Sequence, residues 1–132
     1  MTKTIILLAA FLSIWPMGGK KFQMTADRSV PAATGTVEVK WNAKNQNTSL
    51  DVKVDHLANP QSLTPPEHIY VVWVQPRDQQ AQKEGALGVG QNRKGEVKGV
   101  TTAKDFDVFV TAEKSETTTA PTGKRLLYTH VS

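Results

Sequence analysis

Three histidines, His56, His68 and His130, are the side chains of this chain best suited to hold a catalytic zinc or copper. They lie far apart, and no H-x-H or H-x-x-x-H pair would set two imidazoles on one face. That spacing favours three independent surface or strand-end residues over a metal site. Asp105 and Asp107, two apart, would project from one face of a strand beside Phe109, the kind of carboxylate pair that hydrolysis uses. Solvent-facing acids on a half-exposed strand account for them more simply. No serine sits in a G-x-S-x-G elbow, and the absence of cysteine removes thiol nucleophiles, thiolate zinc and disulfides. Gly85, Gly88 and Gly90 (GALGVG) do not make the dinucleotide fingerprint, because no helical pattern follows; bulges or close backbone approach explain them. Gly123-Lys124-Arg125 lacks the upstream glycine of a phosphate loop, and Asn47-Thr48-Ser49 matches a glycosylation triplet that matters only in a eukaryotic secretory route. No catalytic residue, metal ligand or cofactor is expected, and the chain reads as a non-enzyme.

The aromatic residues are the better candidates for recognition. Tyr70 and Trp73 lie on opposite faces of one apolar stretch, and Trp41 ends another. A core tryptophan is the ordinary explanation for Trp73 in a β-sandwich. An exposed Trp or Tyr would instead stack on a sugar or grip a partner protein. Trp41, Tyr70 and Trp73 are therefore the candidate ligand or partner contacts.

The elements that must position these residues read as strands. Val37, Val39 and Trp41 alternate with Glu38 and Lys40; after the turn residues Lys44-Asn45-Gln46-Asn47, Leu50, Val52 and Val54 alternate with Asp51, Lys53 and Asp55. This period of two predicts a hairpin with one face in the core and one in water. Residues 57–67 (LANPQSLTPPE) hold three prolines and cannot be a central strand. His68 to Gln75 (HIYVVWVQ) is continuously apolar and aromatic, so both of its faces should be covered, as in a central strand. A polar loop at 75–83 precedes a weaker, Gly-interrupted strand at 85–90, and a further strand is expected at 96–101. Phe106, Val108 and Val110 alternate with Asp107 and Phe109, residues 115–122 (SETTTAPT) form an exposed loop, and Arg125 to Val131 closes the chain. About seven strands and no amphipathic helix predict an all-β fold, an antiparallel immunoglobulin-like β-sandwich, with a small closed barrel as the alternative.

A length of 132 residues with 39% hydrophobic content is one domain's worth of chain. The formal charge of +4 owes much to Lys3, Lys20 and Lys21, since no acid precedes Asp27. Beyond them, basic and acidic residues interleave without a dense patch, so no nucleic-acid partner is expected. Lys3, the apolar run Ile5 to Met17 (IILLAAFLSIWPM) and then Lys20-Lys21 describe a secretory signal peptide or, because no A-x-A cleavage site follows, an uncleaved N-terminal anchor over residues 4–19. Either way the N-terminal segment engages a membrane. Residues 1–26 are assigned to this segment and 27–132 to an extracytoplasmic domain, periplasmic or secreted.

The stretch His68-Ile69-Tyr70-Val71-Val72-Trp73-Val74 resembles the Y-x-x-W strand in the C-terminal, extracytoplasmic domain of anti-sigma-K factors. Gly85-Ala86-Leu87-Gly88 is similar to that family's short G-x-L strand. Phe106 to Glu113 (FDVFVTAE) followed by Ala120-Pro121-Thr122-Gly123 is similar to its V-T-x-E … P-T-G ending. The resemblance covers roughly residues 35–131, in order. It implies an all-β domain tethered through one membrane helix and acting in envelope signalling; it maps no catalytic residue onto this chain. About 26 residues precede the β domain, so no sigma-binding region is expected within the sequence. The reading is thus a non-enzymatic extracytoplasmic interaction domain, with an envelope or membrane protein as partner and loops 57–67, 76–84 and 115–122 as its contacts. The alternative is a secreted small-ligand or carbohydrate-binding sandwich.

Overall fold

A computed structural model describes residues 19–132. Nine strands follow in chain order: β1 (Lys20–Gln23), β2 (Thr25–Ala26), β3 (Thr34–Asn42), β4 (Asn47–Asp55), β5 (Ile69–Pro76), β6 (Gln82–Leu87), β7 (Gly95–Thr101), β8 (Phe106–Glu113) and β9 (Leu127–Val131). They form a four-stranded sheet, β1-β3-β4-β7, and a five-stranded sheet, β2-β9-β8-β5-β6, with every pairing antiparallel. The all-β, two-sheet sandwich expected from the alternating pattern is the fold observed, and neither sheet closes into a barrel. In the five-stranded sheet the last two strands lie beside β5, as strands G and F lie beside C in an immunoglobulin sandwich.

Alternation decides what each face buries. Val37, Val39, Leu50, Val52 and Val54 of the four-stranded sheet meet Tyr70, Val72, Val74, Val108, Val110 and Leu127 of the other in one apolar core. β5 is buried on both faces, as its unbroken apolar run requires: Val71 and Trp73 point outward and form a second small core with Phe109. The chain from Lys114 to Leu126 returns beside this outer face. Tyr70 and Trp73 are consequently not ligand contacts, since both have no solvent exposure. Tyr70 fills the inter-sheet core, its hydroxyl donating to Ala58 O at 2.5 Å, and burial pushes its phenol up to about 12.

Two strand assignments differ from expectation. The boundary placed at residue 26 falls inside the fold: Lys20–Gln23 pairs with β3, Thr25–Ala26 pairs with β9, and Met24 between them is buried. The domain therefore includes residues 20–26, while the remainder of the signal-peptide or anchor segment, residues 1–18, lies outside the described residues. The sixth strand begins three residues earlier than its glycines suggested. Its register against β5 shifts between Val72 and Trp73, which pair with Gly85 and Lys83 and leave Glu84 as the extra residue of a bulge.

The bulge brings Glu84 against the edge of the opposite sheet. Its carboxylate occupies the space a side chain at Gly99 would need, and it accepts a hydrogen bond from the backbone of Val100. Burial raises the Glu84 pKa, only partly offset by that hydrogen bond. A raised carboxyl pKa favours folding while the group is neutral, and that contribution is lost as pH rises through the folded-state value. Glu84→Gln, which keeps the acceptor and removes the charge, is expected to raise the melting temperature at pH 7 by on the order of a few degrees. Below pH 4 the variant and the parent should melt together; a gap that persists there would contradict this account.

Candidate functional site

The strands run between two ends of the sandwich, and the three histidines and Trp41 lie at one or the other. At the proximal end are Gly19, the β3–β4 turn, the loops 77–81 and 102–105, and the end of β9. The distal end carries the connections 27–33, 56–68, 88–94 and 114–126. His56 and His68 follow the distal end of β4 and precede that of β5, whereas His130 lies near the proximal end of β9. The three histidines do not converge, and among the described residues no cluster of His, Asp and Glu is arranged to hold a metal.

His130 instead joins the two aspartates singled out in the sequence. Its Nδ1 lies 2.7 Å from Asp107 Oδ1 in a hydrogen bond, and its Nε2 lies 2.7 Å from Asp105 Oδ1 in a charge contact without hydrogen-bond alignment. Arg77 pairs with the other oxygen of Asp105 at 2.8 Å; Arg125 pairs with Asp107 at 3.1 Å and lies over the Phe109 ring. The hydrogen bond to Asp107 and the charges of both carboxylates together raise the His130 pKa, outweighing the opposing effect of burial. Burial alone would push Asp107 up, yet His130 and Arg125 together hold it below its ordinary value. Asp105 pairs with Arg77, Asp107 pairs with Arg125, and His130 joins both acids, which fastens the end of β9 to β8 and the 102–105 loop.

The distal end is built on a buried acid. Glu113, the last residue of β8, is 1% exposed. One carboxylate oxygen accepts from the Thr111 hydroxyl at 2.5 Å, and that hydroxyl accepts from Trp73 Nε1 at 2.8 Å. Thr122 donates to the carboxylate through both its hydroxyl and its backbone N–H, and Gly123 donates through its N–H. Burial acts to raise the Glu113 pKa, but these donors outweigh it and hold the carboxyl below its usual range. The polar residues on which the family resemblance rests at this end of the chain, Thr111, Glu113, Thr122 and Gly123, thus meet at one point. A charge buried among donors it fully engages fixes the returning chain against β8.

Of the three candidate loops, 57–67 lines a groove here, and 115–122 only adjoins it. Leu63, Thr64, Pro65 and Glu67 of the first face Gly123 and Lys124, just past the second, across an open groove of about 450 Å³. Asn59 caps a 3-10 turn at Pro60–Ser62, the Thr64–Pro65 bond is cis, and Lys114 pairs with Glu67 at 3.5 Å across the two connections. Loop 76–84 is not part of this groove: it resolves into a proximal turn at 77–81 and the start of β6. Trp41, the remaining aromatic candidate, is 38% exposed at the proximal end beneath Lys104, whose ammonium lies 4.1 Å from the ring centroid.

The Glu113 network was the main functional-site feature missed in the sequence. Its signal was a polar T-x-E pair on one face of an otherwise apolar strand, followed within ten residues by a Thr-Gly step. No family model, curated protein or solved structure matches the chain. What the fold defines by itself is a two-sheet antiparallel β-sandwich.

Proposed function

We propose that this sandwich is a non-enzymatic, extracytoplasmic interaction domain that recognises an envelope or membrane protein through its distal groove. One observation carries the reading. Two connections far apart in sequence, 57–67 and 114–126, flank one open groove; the second is held by the buried Glu113 carboxylate, and the Lys114–Glu67 ion pair links the first to it. Recognition residues on loops fixed by a rigid scaffold are the usual construction of a binding surface. The groove is also at the end of the domain opposite Gly19, where the apolar N-terminal segment ends, so a membrane at that segment leaves the groove facing outward. The resemblance to the outer domain of anti-sigma-K factors adds a role in envelope signalling. A sugar-stacking surface built on three aromatics is disfavoured, because Tyr70 and Trp73 are buried and Trp41 stands alone.

The test is photo-cross-linking in native cells of the full-length, C-terminally tagged chain, with the reactive residue at Ser62, at Thr122 or, as a control, at the outward-facing Lys53. The same envelope protein should be captured from Ser62 and Thr122 and not from Lys53. Recovery of the chain in the cytoplasmic fraction, or adducts independent of position, would overturn the reading.

A further inference from the structure

We propose that the proximal end of the sandwich is a docking face for a bilayer surface bearing anionic phospholipids. The inference deepens the reading of residues 4–19 as a membrane anchor and rests on it. A groove of about 440 Å³ opens at this end between the two sheets; its lining includes Lys20, Lys40, Lys104 and Trp41 and no acidic side chain, so three cations outnumber the one α-carboxylate there, that of Ser132. Among the described residues none of these three lysines pairs with a carboxylate. The acids nearest in sequence to Lys104, Asp105 and Asp107, are already matched by Arg77, His130 and Arg125. The excess positive charge is therefore available to an external anion.

Trp41 gives the face its second property. Its position in β3 has the core-facing parity of Val37 and Val39, but it lies at the strand's end and emerges half-exposed. A part-exposed indole with an ammonium over its ring, in a groove that two further lysines line, has the chemistry of a residue at headgroup depth. Lysines near an anionic leaflet add favourable attraction, each acting within a Debye length of the surface. The 102–105 loop that carries Lys104 is fixed from below: Thr48 donates to Ala103 O at 3.0 Å and Ala103 N–H donates to Thr101 at 3.2 Å. Finally, Gly19 lines this same groove, so the apolar run ends where the lysines and tryptophan gather. A bilayer that holds that run meets this face first.

Tryptophan quenching by brominated lipid tests the docking on the full chain reconstituted in vesicles. Trp15→Phe leaves Trp41 as the reporter, because Trp73 is wholly buried; Trp41→Phe leaves Trp15 in the apolar run. Vesicles are brominated phosphatidylcholine, alone or mixed with phosphatidylglycerol. Trp41 should be quenched in the mixed vesicles. That quenching should be lost in phosphatidylcholine alone, at high salt, and in the chain carrying Lys20→Glu, Lys40→Glu and Lys104→Glu. Trp15 should be quenched throughout. The corresponding triple Gln variant, with unchanged Trp73 emission as the check on folding, should fall between the two. Trp15 quenched with Trp41 silent overturns docking and leaves the anchor intact. Trp41 quenched with Trp15 silent overturns the anchor and keeps the docking face; silence of both overturns both. Equal Trp41 quenching without phosphatidylglycerol, or its removal by inorganic phosphate at constant ionic strength, reassigns the groove and overturns the proposal.

Discussion

Glu113→Ala is expected to destabilise the domain by about 3–5 kcal/mol, because several buried donors lose a charged acceptor at once and each such loss costs about 1–3 kcal/mol. The substitution deletes the acceptor of the Thr111 hydroxyl, the Thr122 hydroxyl and two backbone N–H groups, in a site with almost no access to water. Each stranded donor keeps its desolvation penalty and loses its compensation. At roughly 4 °C per kcal/mol for a domain of this size, the melting temperature should fall by about 12–20 °C. Glu113→Gln is a sharper probe than alanine. Its volume is the same, but its amide NH2 turns one acceptor into a donor facing other donors, so it should also destabilise, by about 1–3 kcal/mol. The pH dependence has a fixed sign. A carboxyl held below its ordinary value stabilises the fold above the unfolded-state pKa, and that contribution is lost as pH falls through the folded-state value. The gap between parent and Glu113→Ala should therefore be full at pH 7 and narrow below pH 4. Thermal melts across that range check it; a constant gap would mean that the lost side chain mattered only for packing.

Trp73→Ala is expected to cost about 3–5 kcal/mol, as truncation of a buried aromatic does. The indole has no exposed surface and forms, with Val71 and Phe109, the apolar core on the outer face of β5 and β8, against which Ile69 and Ala81 pack. Trp73→Phe keeps most of that filling but removes the N–H to Thr111, for a smaller loss of about 1–2 kcal/mol. Because Thr111 passes the hydrogen bond on to Glu113, losses at positions 73 and 113 should not add. A double-mutant cycle on chemical denaturation measures the coupling. Additive losses would mean that the chain from Trp73 to Glu113 acts as two independent contacts.

These positions illustrate what the sequence made legible. The hairpin of β3 and β4 was readable because alternation is strict and one face meets water. The burial of both faces of β5 was readable from an unbroken apolar run. The burial of Tyr70 and Trp73 was not legible in the same way: Tyr70 is covered by the opposite sheet and Trp73 packs with Phe109 and Ala81, contacts that no local period records. β6 was misplaced because its bulge at Glu84 breaks the period of two at the very residues that needed it. β1 and β2 did leave a signal: Phe22, Met24 and Ala26 alternate with Lys21, Gln23 and Thr25, and all three apolar residues pack on the core. The adjoining apolar run drew the boundary past them. At the sites, the proximity of Asp105 and Asp107 could be read from their i, i+2 spacing, whereas the arrival of His130 and Arg125 depends on β9 pairing with β8. The meeting of loops 57–67 and 114–126 depends likewise on β5 lying beside β8.

The path of residues 20–26 has a mechanical side. β1 enters at the proximal end and runs toward the distal one, bonded along its length to β3; the chain then crosses to the other sheet as β2, with Met24 N–H tied to Gly35 O between the two. A load between Gly19 and the distal loops therefore pulls β1 lengthwise. Its bonds to β3 are sheared together and share the tension; they are not unzipped one after another. With β2 holding the second sheet in series, a tug at either end of the domain is carried through both sheets at once.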